Sequence, residues 1–167
     1  PARANVEKTF QAARNRATGN QSSTLRASAI ELLAYSTYKE DGGMLLKLLA
    51  PAQPRPVQLA ATQSLGQLND IRVASALMEK PRWGSYAPDL REAVLSVVLG
   101  RSIYQPALMA ALEESTIPVY ALSPARRRAL ERNKTIGARA NKFFGQHAGG
   151  DRMKAYEAAK PVLKMKA

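Results

Sequence analysis

A nine-residue pattern recurs along this chain, with apolar or small residues at its first, fifth, eighth and ninth places. The clearest copy runs from Val57 to Leu65 and places Val57, Ala61, Ser64 and Leu65 there. Upstream the set is Leu25, Ala29, Leu32 and Leu33. Downstream it is Leu90, Val94, Val97 and Val98, and then, more weakly, Ile136, Ala140, Phe143 and Phe144. Offsets of four, seven and eight residues share one face of an α-helix. The first three copies begin 32 and 33 residues apart, a period that marks stacked helical repeats.

Turn and breaker residues place the elements around these stripes. A first helix is predicted over 2–17, with Val6, Phe10 and Ala13 or Ala17 as a narrow apolar stripe. The turn-rich stretch from Thr18 to Ser23 supplies Ser23 or Thr24 as the next N-cap. Helices near 24–37 and 43–50 then flank a turn at Asp41-Gly42-Gly43, with Met44, Leu45, Leu48 and Leu49 facing inward. Pro56 suits the first turn of a helix, where its missing N–H costs nothing. The second pair spans about 56–68 and 71–79 around Asn69-Asp70, with Val73, Ala76 and Leu77 inward. Pro81 closes it, and Trp83-Gly84-Ser85 forms a corner. The third pair starts at Pro88, breaks near Gly100, and continues over about 105–114 with Leu108, Ala111 and Leu112 inward; Pro118 closes it.

Beyond this the period breaks. The fourth copy begins 46 residues after the third, and the added length holds a Ser-capped helix from Ser123-Pro124 through Arg132. A patterned helix follows over about 134–144. A flexible link runs from Gly145 to Gly150, and a last helix over 151–163 carries Met153, Tyr156 and Ala159 on one side.

One helical pair cannot bury its stripe alone, whereas about four to five stacked pairs make a continuous core. The fold class is therefore read as all-α, an α-solenoid of helical hairpins. Small residues at Ser28/Ala29, Ala60/Ala61 and Ala93 would let neighbouring first helices approach closely. An ordinary bundle with accidental repetition is the alternative, and the recurrence of turns and prolines with the stripes favours the stack. The expected organisation is a capping helix over 1–22 and repeats over 23–55, 56–84, 85–119 and 120–145. A linker and C-terminal helix over 146–167 lead towards a following domain.

Composition supports this reading. The chain is 46% hydrophobic but only 6% aromatic, which favours helices packed through small side chains over a β-sandwich. No apolar run approaches the roughly 20 residues that span a bilayer, so no membrane insertion by this segment is expected, and no signal peptide is visible. The chain opens at Pro1, which reads as a fragment or processed form. With no cysteine, disulfides, thiolate metal sites, a cysteine nucleophile and covalent c-type haem attachment are excluded within these residues.

Net charge is +12, and its distribution matters more than its total. Residues 40–80 hold four basic and four acidic side chains, and residues 81–121 hold three and four. Residues 122–167 hold twelve basic and three acidic. The candidate surface is Arg126, Arg127, Arg128, Arg132, Lys134, Arg139 and Lys142, with Arg128, Arg132 and Arg139 expected on one face. It offers contact to an anion, an acidic protein or nucleic acid. The simpler reading is a solvated face, some of whose guanidinium groups bond helix-end carbonyls. No interleaved aromatics offer base stacking.

Other candidates are weaker. His147 lies between glycines without a second His or Cys, as a loop histidine. Glu40-Asp41 and Glu113-Glu114 read as solvated carboxylates at element ends, not a hydrolytic pair. No Gly-x-Ser-x-Gly or phosphate-cradling loop occurs. Arg26 and Arg91 are expected to bridge helices or pair with Glu31 and Asp89. Trp83 is expected to plug a gap between repeats, with Tyr35, Tyr38, Tyr104 and Tyr120 at boundaries. No catalytic, metal or cofactor residue is assigned.

The repeats resemble HEAT and armadillo-type repeats. A closer likeness rests on Gly43-Met44-Leu45-Leu46-Lys47-Leu48-Leu49, Pro56-Val57-Gln58-Leu59-Ala60-Ala61, Asn69-Asp70, Trp83, Leu90-Arg91-Glu92-Ala93, Arg101, Arg126-Arg127-Arg128-Ala129-Leu130, Ala138-Arg139-Ala140 and Phe143-Phe144-Gly145. Over about residues 24–163 it resembles the helical-repeat region of planctomycete-type membrane-bound dehydrogenase proteins with a C-terminal cytochrome c-like domain. In that family the repeats follow a sugar-dehydrogenase-like propeller and precede a haem domain. Arg152-Met153-Lys154-Ala155-Tyr156 resembles the lead-in to that domain, and no Cys-x-x-Cys-His is present. The resemblance implies a periplasmic or extracytoplasmic parent and, for these residues, a non-catalytic scaffold whose partners are protein. The alternative function is a nucleic-acid-binding helical repeat using the basic C-terminal surface.

Overall fold

A computed structural model describes residues 2–147, and all regular structure among them is helical. The 151–163 helix expected from sequence lies outside the described residues, as does the second half of the link before it. The chain divides after Ile117 into two compact units.

The first unit holds α1 (Ala2–Thr18), α2 (Ser23–Leu32), α3 (Gly43–Lys47), α4 (Arg55–Gln67), α5 (Arg72–Leu77), α6 (Lys80–Ser85), α7 (Pro88–Leu99) and α8 (Gln105–Glu113). The repeat-bearing helices pack in succession, α1 on α2, α2 on α4 and α4 on α7. Their partners join them, α3 and α5 on α4, and α8 on both α5 and α7.

Helix α4 is covered on most sides, burying Val57, Gln58, Ala60, Ala61, Thr62, Ser64, Leu65 and Gly66. Three of these are polar, and each has a partner, as burial demands. The Gln58 amide donates to Ala50 O at 2.8 Å, the Thr62 hydroxyl to Gln58 O at 2.9 Å and the Ser64 hydroxyl to Ile30 O at 2.9 Å. The approach of α4 to α7 needs glycine at 66, where a Cβ would lie 2.6 Å from Val97 Cγ1.

The stripes of the second and fourth copies are buried throughout, and the third is buried except at half-covered Val97. The first copy departs from expectation. Leu25 is 60% exposed and Leu32 39%, and the core face is Ala29, Ile30 and Leu33 instead. The cause lies in α1, which presents Ala13 and Ala17 as its buried residues while Val6 stays exposed. Those methyl groups are too short to cover Leu25 and Leu32. An open groove of about 520 Å³ remains, lined by Ala12, Ala13, Leu25, Ser28 and Leu32 among others.

Local boundaries also shift. Ser22, not Ser23 or Thr24, caps α2, accepting from Leu25 N. The turn expected at Asp41-Gly42-Gly43 is a π-helical turn, Tyr38–Gly42, that runs straight into α3. Its first turn is capped by Thr37, whose hydroxyl accepts from Glu40 N. Pro81 opens α6 rather than closing the preceding hairpin, because a first-turn proline loses no helical hydrogen bond.

In the second unit a 3₁₀ turn (Val119–Ala121) precedes α9 (Pro124–Glu131), capped by Ser123 as expected. Helix α10 covers 137–147, displaced from the expected 134–144. Asn133 is the reason: its side-chain oxygen accepts from Thr135 N at 2.8 Å and Ile136 N at 3.1 Å, holding those residues in a turn. A Cβ on Gly137 would run into the Glu131 carbonyl, so the turn from α9 into α10 requires glycine there. The start of the expected flexible link, Gly145 to His147, is helical and belongs to α10.

Candidate interaction surface

Four polar side chains do the same job at four places. Arg26 Nε donates to Ala17 O, nine residues back, at 2.9 Å. Gln58 donates to Ala50 O, eight back, at 2.8 Å. Arg91 Nε donates to Trp83 O, eight back, at 3.2 Å. Arg127 Nη2 donates to Val119 O, eight back, at 3.0 Å, and its Nε to Leu122 O at 3.0 Å. Each ties the first turns of a helix to carbonyls in the segment that delivers it; Ala50 O, Trp83 O and Val119 O also accept a backbone N–H, from Gln53, Tyr86 and Leu122, so there the side chain is a second donor. The guanidinium charge adds attraction to the negative pole of those carbonyls.

Arg26, Gln58 and Arg91 occupy the second place of the first three copies. Arg127 continues their spacing of 32 and 33 residues with one of 36. In this register a similar spacing reaches α9, ahead of the buried stripe that begins at Ile136. Arg26 turns to Gln53 at 2.7 Å rather than Glu31. Asp89, the expected partner of Arg91, pairs with Arg55 at 2.6 Å.

Arg127 is thus committed to the backbone and withdrawn from the candidate surface. Arg126 is half-buried, and both it and Arg139 make interactions within the protein. Arg128, Arg132, Lys134, Arg139 and Lys142 are all exposed. Arg132 Nε donates to Arg128 O at 3.3 Å across one helical turn. These cations sit on α9, on the turn after it and on the first half of α10. Among residues 118–147 the sequence sets seven Arg and Lys side chains against one carboxylate, Glu131.

Trp83 is 5% exposed. It meets Tyr86 edge-on at 6.3 Å, and the Arg91 guanidinium lies 5.7 Å from its ring centre, the geometry of a plug. Tyr104 is buried and reaches Gly66 O, whereas Tyr35 and Tyr120 are more than four-fifths exposed. His147, expected in a loop, lies on α10 with Nδ1 2.8 Å from Phe143 O and its ring against Phe143.

The carboxylate that sequence reasoning misplaced is Asp41, which is 1% exposed. Arg14 grips it with a two-pronged contact, Nε to Oδ1 at 2.7 Å and Nη2 to Oδ2 at 3.1 Å. The Ser36 hydroxyl donates to the same carboxylate. Glu7 takes the remaining arm of Arg14 at 2.7 Å. Asp41 and Glu7 together raise the proton affinity of the guanidinium beyond its ordinary value. The cluster joins α1 to the turn between α2 and α3.

Tyr86 is buried with no hydrogen-bond partner for its hydroxyl, and desolvation pushes its ionisation above the usual tyrosine range. The fold thus favours the protonated phenol. That contribution is fully present below about pH 10, the unfolded value, and is lost as pH rises beyond it. Tyr86→Phe is expected to raise the alkaline unfolding midpoint. It should also stabilise the protein by about 1 kcal/mol at neutral pH, since an orphan buried hydroxyl is removed. Urea titrations followed by circular dichroism at neutral and alkaline pH check both.

Among the described residues no three His, Cys, Asp or Glu side chains are grouped to hold a metal ion, and no single helix is long and apolar enough to cross a membrane. Comparison with protein-family models, curated proteins and solved structures finds no match for this chain.

Proposed function

We propose that this chain is an α-solenoid whose work is mechanical: a stack of helical hairpins that spaces and presents other protein surfaces. The carrying observation is the repeated clamp of Arg26, Gln58, Arg91 and Arg127, one per repeat, each reaching back eight or nine residues. A side chain that recurs to fix how each helix enters the stack serves rigidity between neighbours, the property on which repeat architectures depend. Succession of α1, α2, α4 and α7 supports the same reading. On the resemblance of its sequence to the repeats between a propeller and a haem domain, we further propose an extracytoplasmic redox protein as the parent, with the redox chemistry carried by its other domains.

The absence of cysteine makes the test direct. Spin labels on Lys8→Cys and Ser102→Cys, both exposed positions of the first unit, are expected to give one narrow distance distribution by pulsed electron resonance. A broad or multimodal distribution overturns the rigid-spacer reading. Saturable haem binding or alcohol oxidation by the isolated chain overturns the non-catalytic one.

A further inference from the structure

Two exposed places recur beside the buried stripe in the first unit. The seventh place of the first three copies holds Glu31, Gln63 and Ser96, and the eleventh holds Tyr35, Gln67 and Gly100; all six are exposed. Being four residues apart, the two places of each copy stand one turn from each other along one helix edge. In the first copy a 3₁₀ turn, Leu33–Tyr35, continues α2 and carries the second of them. These edges line one open groove. A depression of about 580 Å³ takes in Glu31, Tyr35, Gln63 and Gln67. A smaller one of about 230 Å³ continues from the same two glutamines to Gly100 and Arg101. The groove thus crosses three helices that pack in succession, α2, α4 and α7. Its polarity is ordered. Among the described residues Glu31 is its one carboxylate and Arg101 its one cation, at opposite ends, with the uncharged glutamines between them.

The fold itself shows what such an end receives. Arg72 pairs with Asp70 at 2.6 Å while its guanidinium lies 4.7 Å from the centre of the Tyr38 ring. A carboxylate and a tyrosine face together satisfy one cation, by charge and by the ring quadrupole. Glu31 and Tyr35 bring the same two groups to one depression, and Tyr35 is 82% exposed. At the other end Arg101 donates to Gln67 Oε1 and Asn69 Oδ1, both neutral acceptors. Between them, each glutamine amide carries the donor and acceptor types of a peptide unit. Resting on the interaction-scaffold reading, we propose that this groove binds an extended segment of a partner protein. An arginine of the segment sits between Glu31 and Tyr35, its backbone bonds Gln63 and Gln67, and an acidic side chain meets Arg101. Packed helices lie about 8–10 Å apart, so crossing from α2 to α7 takes about 20 Å, or about six residues of extended chain. A nucleic acid strand brings a phosphate at every step, which one cation and one carboxylate do not match.

The test is a nuclear magnetic resonance titration of the isotopically labelled full chain. The probe is a peptide of serine and threonine with one arginine and one glutamate about six residues apart, made in both orders. One order is expected to give saturable shifts centred on residues 31–35, 63–67 and 96–101. Glu31→Gln and Tyr35→Ala should each weaken binding about threefold, the worth of one exposed ion pair or cation–π contact. Replacing the peptide's arginine by glutamine should weaken binding to the native chain about tenfold, the two contacts together. On the Glu31→Gln/Tyr35→Ala chain the same replacement should change little, because both partners of that side chain are already gone. Arg101→Gln should stand in the same relation to the peptide's glutamate. Glu114→Gln, at an exposed carboxylate outside the groove, should leave affinity unchanged. The spectra themselves establish that each variant folds. No saturable shift with either order at millimolar peptide overturns the proposal, as do shifts centred elsewhere or additive losses in these paired replacements. Tighter binding of a single-stranded oligonucleotide at the same signals overturns it in favour of nucleic acid. The spin-label distance is read without any ligand, so a failure here leaves the spacer reading standing. A broad distance distribution alongside peptide binding removes the spacer reading alone.

Discussion

Arg14→Met should destabilise the first unit by about 2–3 kcal/mol, among the largest effects of any surface-reaching residue. The substitution keeps an unbranched apolar stem and removes the guanidinium that neutralises Asp41. A buried carboxylate is then left with the Ser36 hydroxyl as its side-chain partner. Breaking a fully buried pair from one side costs about 3–5 kcal/mol. Arg14 itself is 18% exposed, so water enters and the expected loss sits below that range. Glu7→Gln supplies the contrast. Glu7 also bonds Arg14 at 2.7 Å, but 60% of its side chain is exposed, and surface pairs contribute about 0–1 kcal/mol. Urea unfolding should therefore separate the two variants clearly. Similar losses in both would mean that Asp41 is solvated in solution and that the cluster does not hold α1.

The same cluster shows where sequence reading stopped. Glu40-Asp41-Gly42-Gly43 is a strong turn signal by residue type. Nothing local marks Asp41 as buried, because its partner lies 27 residues upstream on another helix. A long-range ion pair overrode a short-range preference. The reverse holds for α4 and α7, whose boundaries and inward faces followed from periodicity, since packing on both flanks rewards the whole stripe. The clamp was half legible. Arg26 and Arg91 stood out at the same place of two copies and were read as structural. Gln58 holds the same place and donates to Ala50 O, but its type hides the kinship, because a glutamine and an arginine share a donor and not a charge. The same donor role recurs at Arg127.

The basic surface was legible as composition and not as a site. Seven residues were grouped by charge, yet Arg127 is spent on Leu122 O and Val119 O. Those carbonyls are supplied by a 3₁₀ turn that the hydrophobic pattern does not announce. Charge counts tell how many cations a segment has; only the positions of backbone acceptors tell which of them remain for a partner.

Leu90→Ala and Leu25→Ala pose the remaining question most sharply, since the two leucines hold the first place of their copies. Leu90 is fully buried and Leu25 is 60% exposed. Truncating a buried leucine removes its transfer free energy and leaves a cavity, at a cost of about 2–5 kcal/mol. Leu90 lies where α7 follows its clamp through Arg91 and packs on α4, so little collapse is available and about 3 kcal/mol is expected. Leu25→Ala should change stability by no more than about 0.5 kcal/mol, as surface substitutions do. Leu33→Ala, at a fully buried place of the same first copy, should match Leu90→Ala and show that α2 is otherwise well packed. The comparison is read from urea unfolding midpoints at constant slope. A large loss at Leu25 would mean that α1 covers α2 more closely than its alanines allow, and that the groove beside Leu25 and Leu32 is closed in solution. A small one leaves α2 with an apolar edge at Leu25 and Leu32 that the alanines of α1 do not cover.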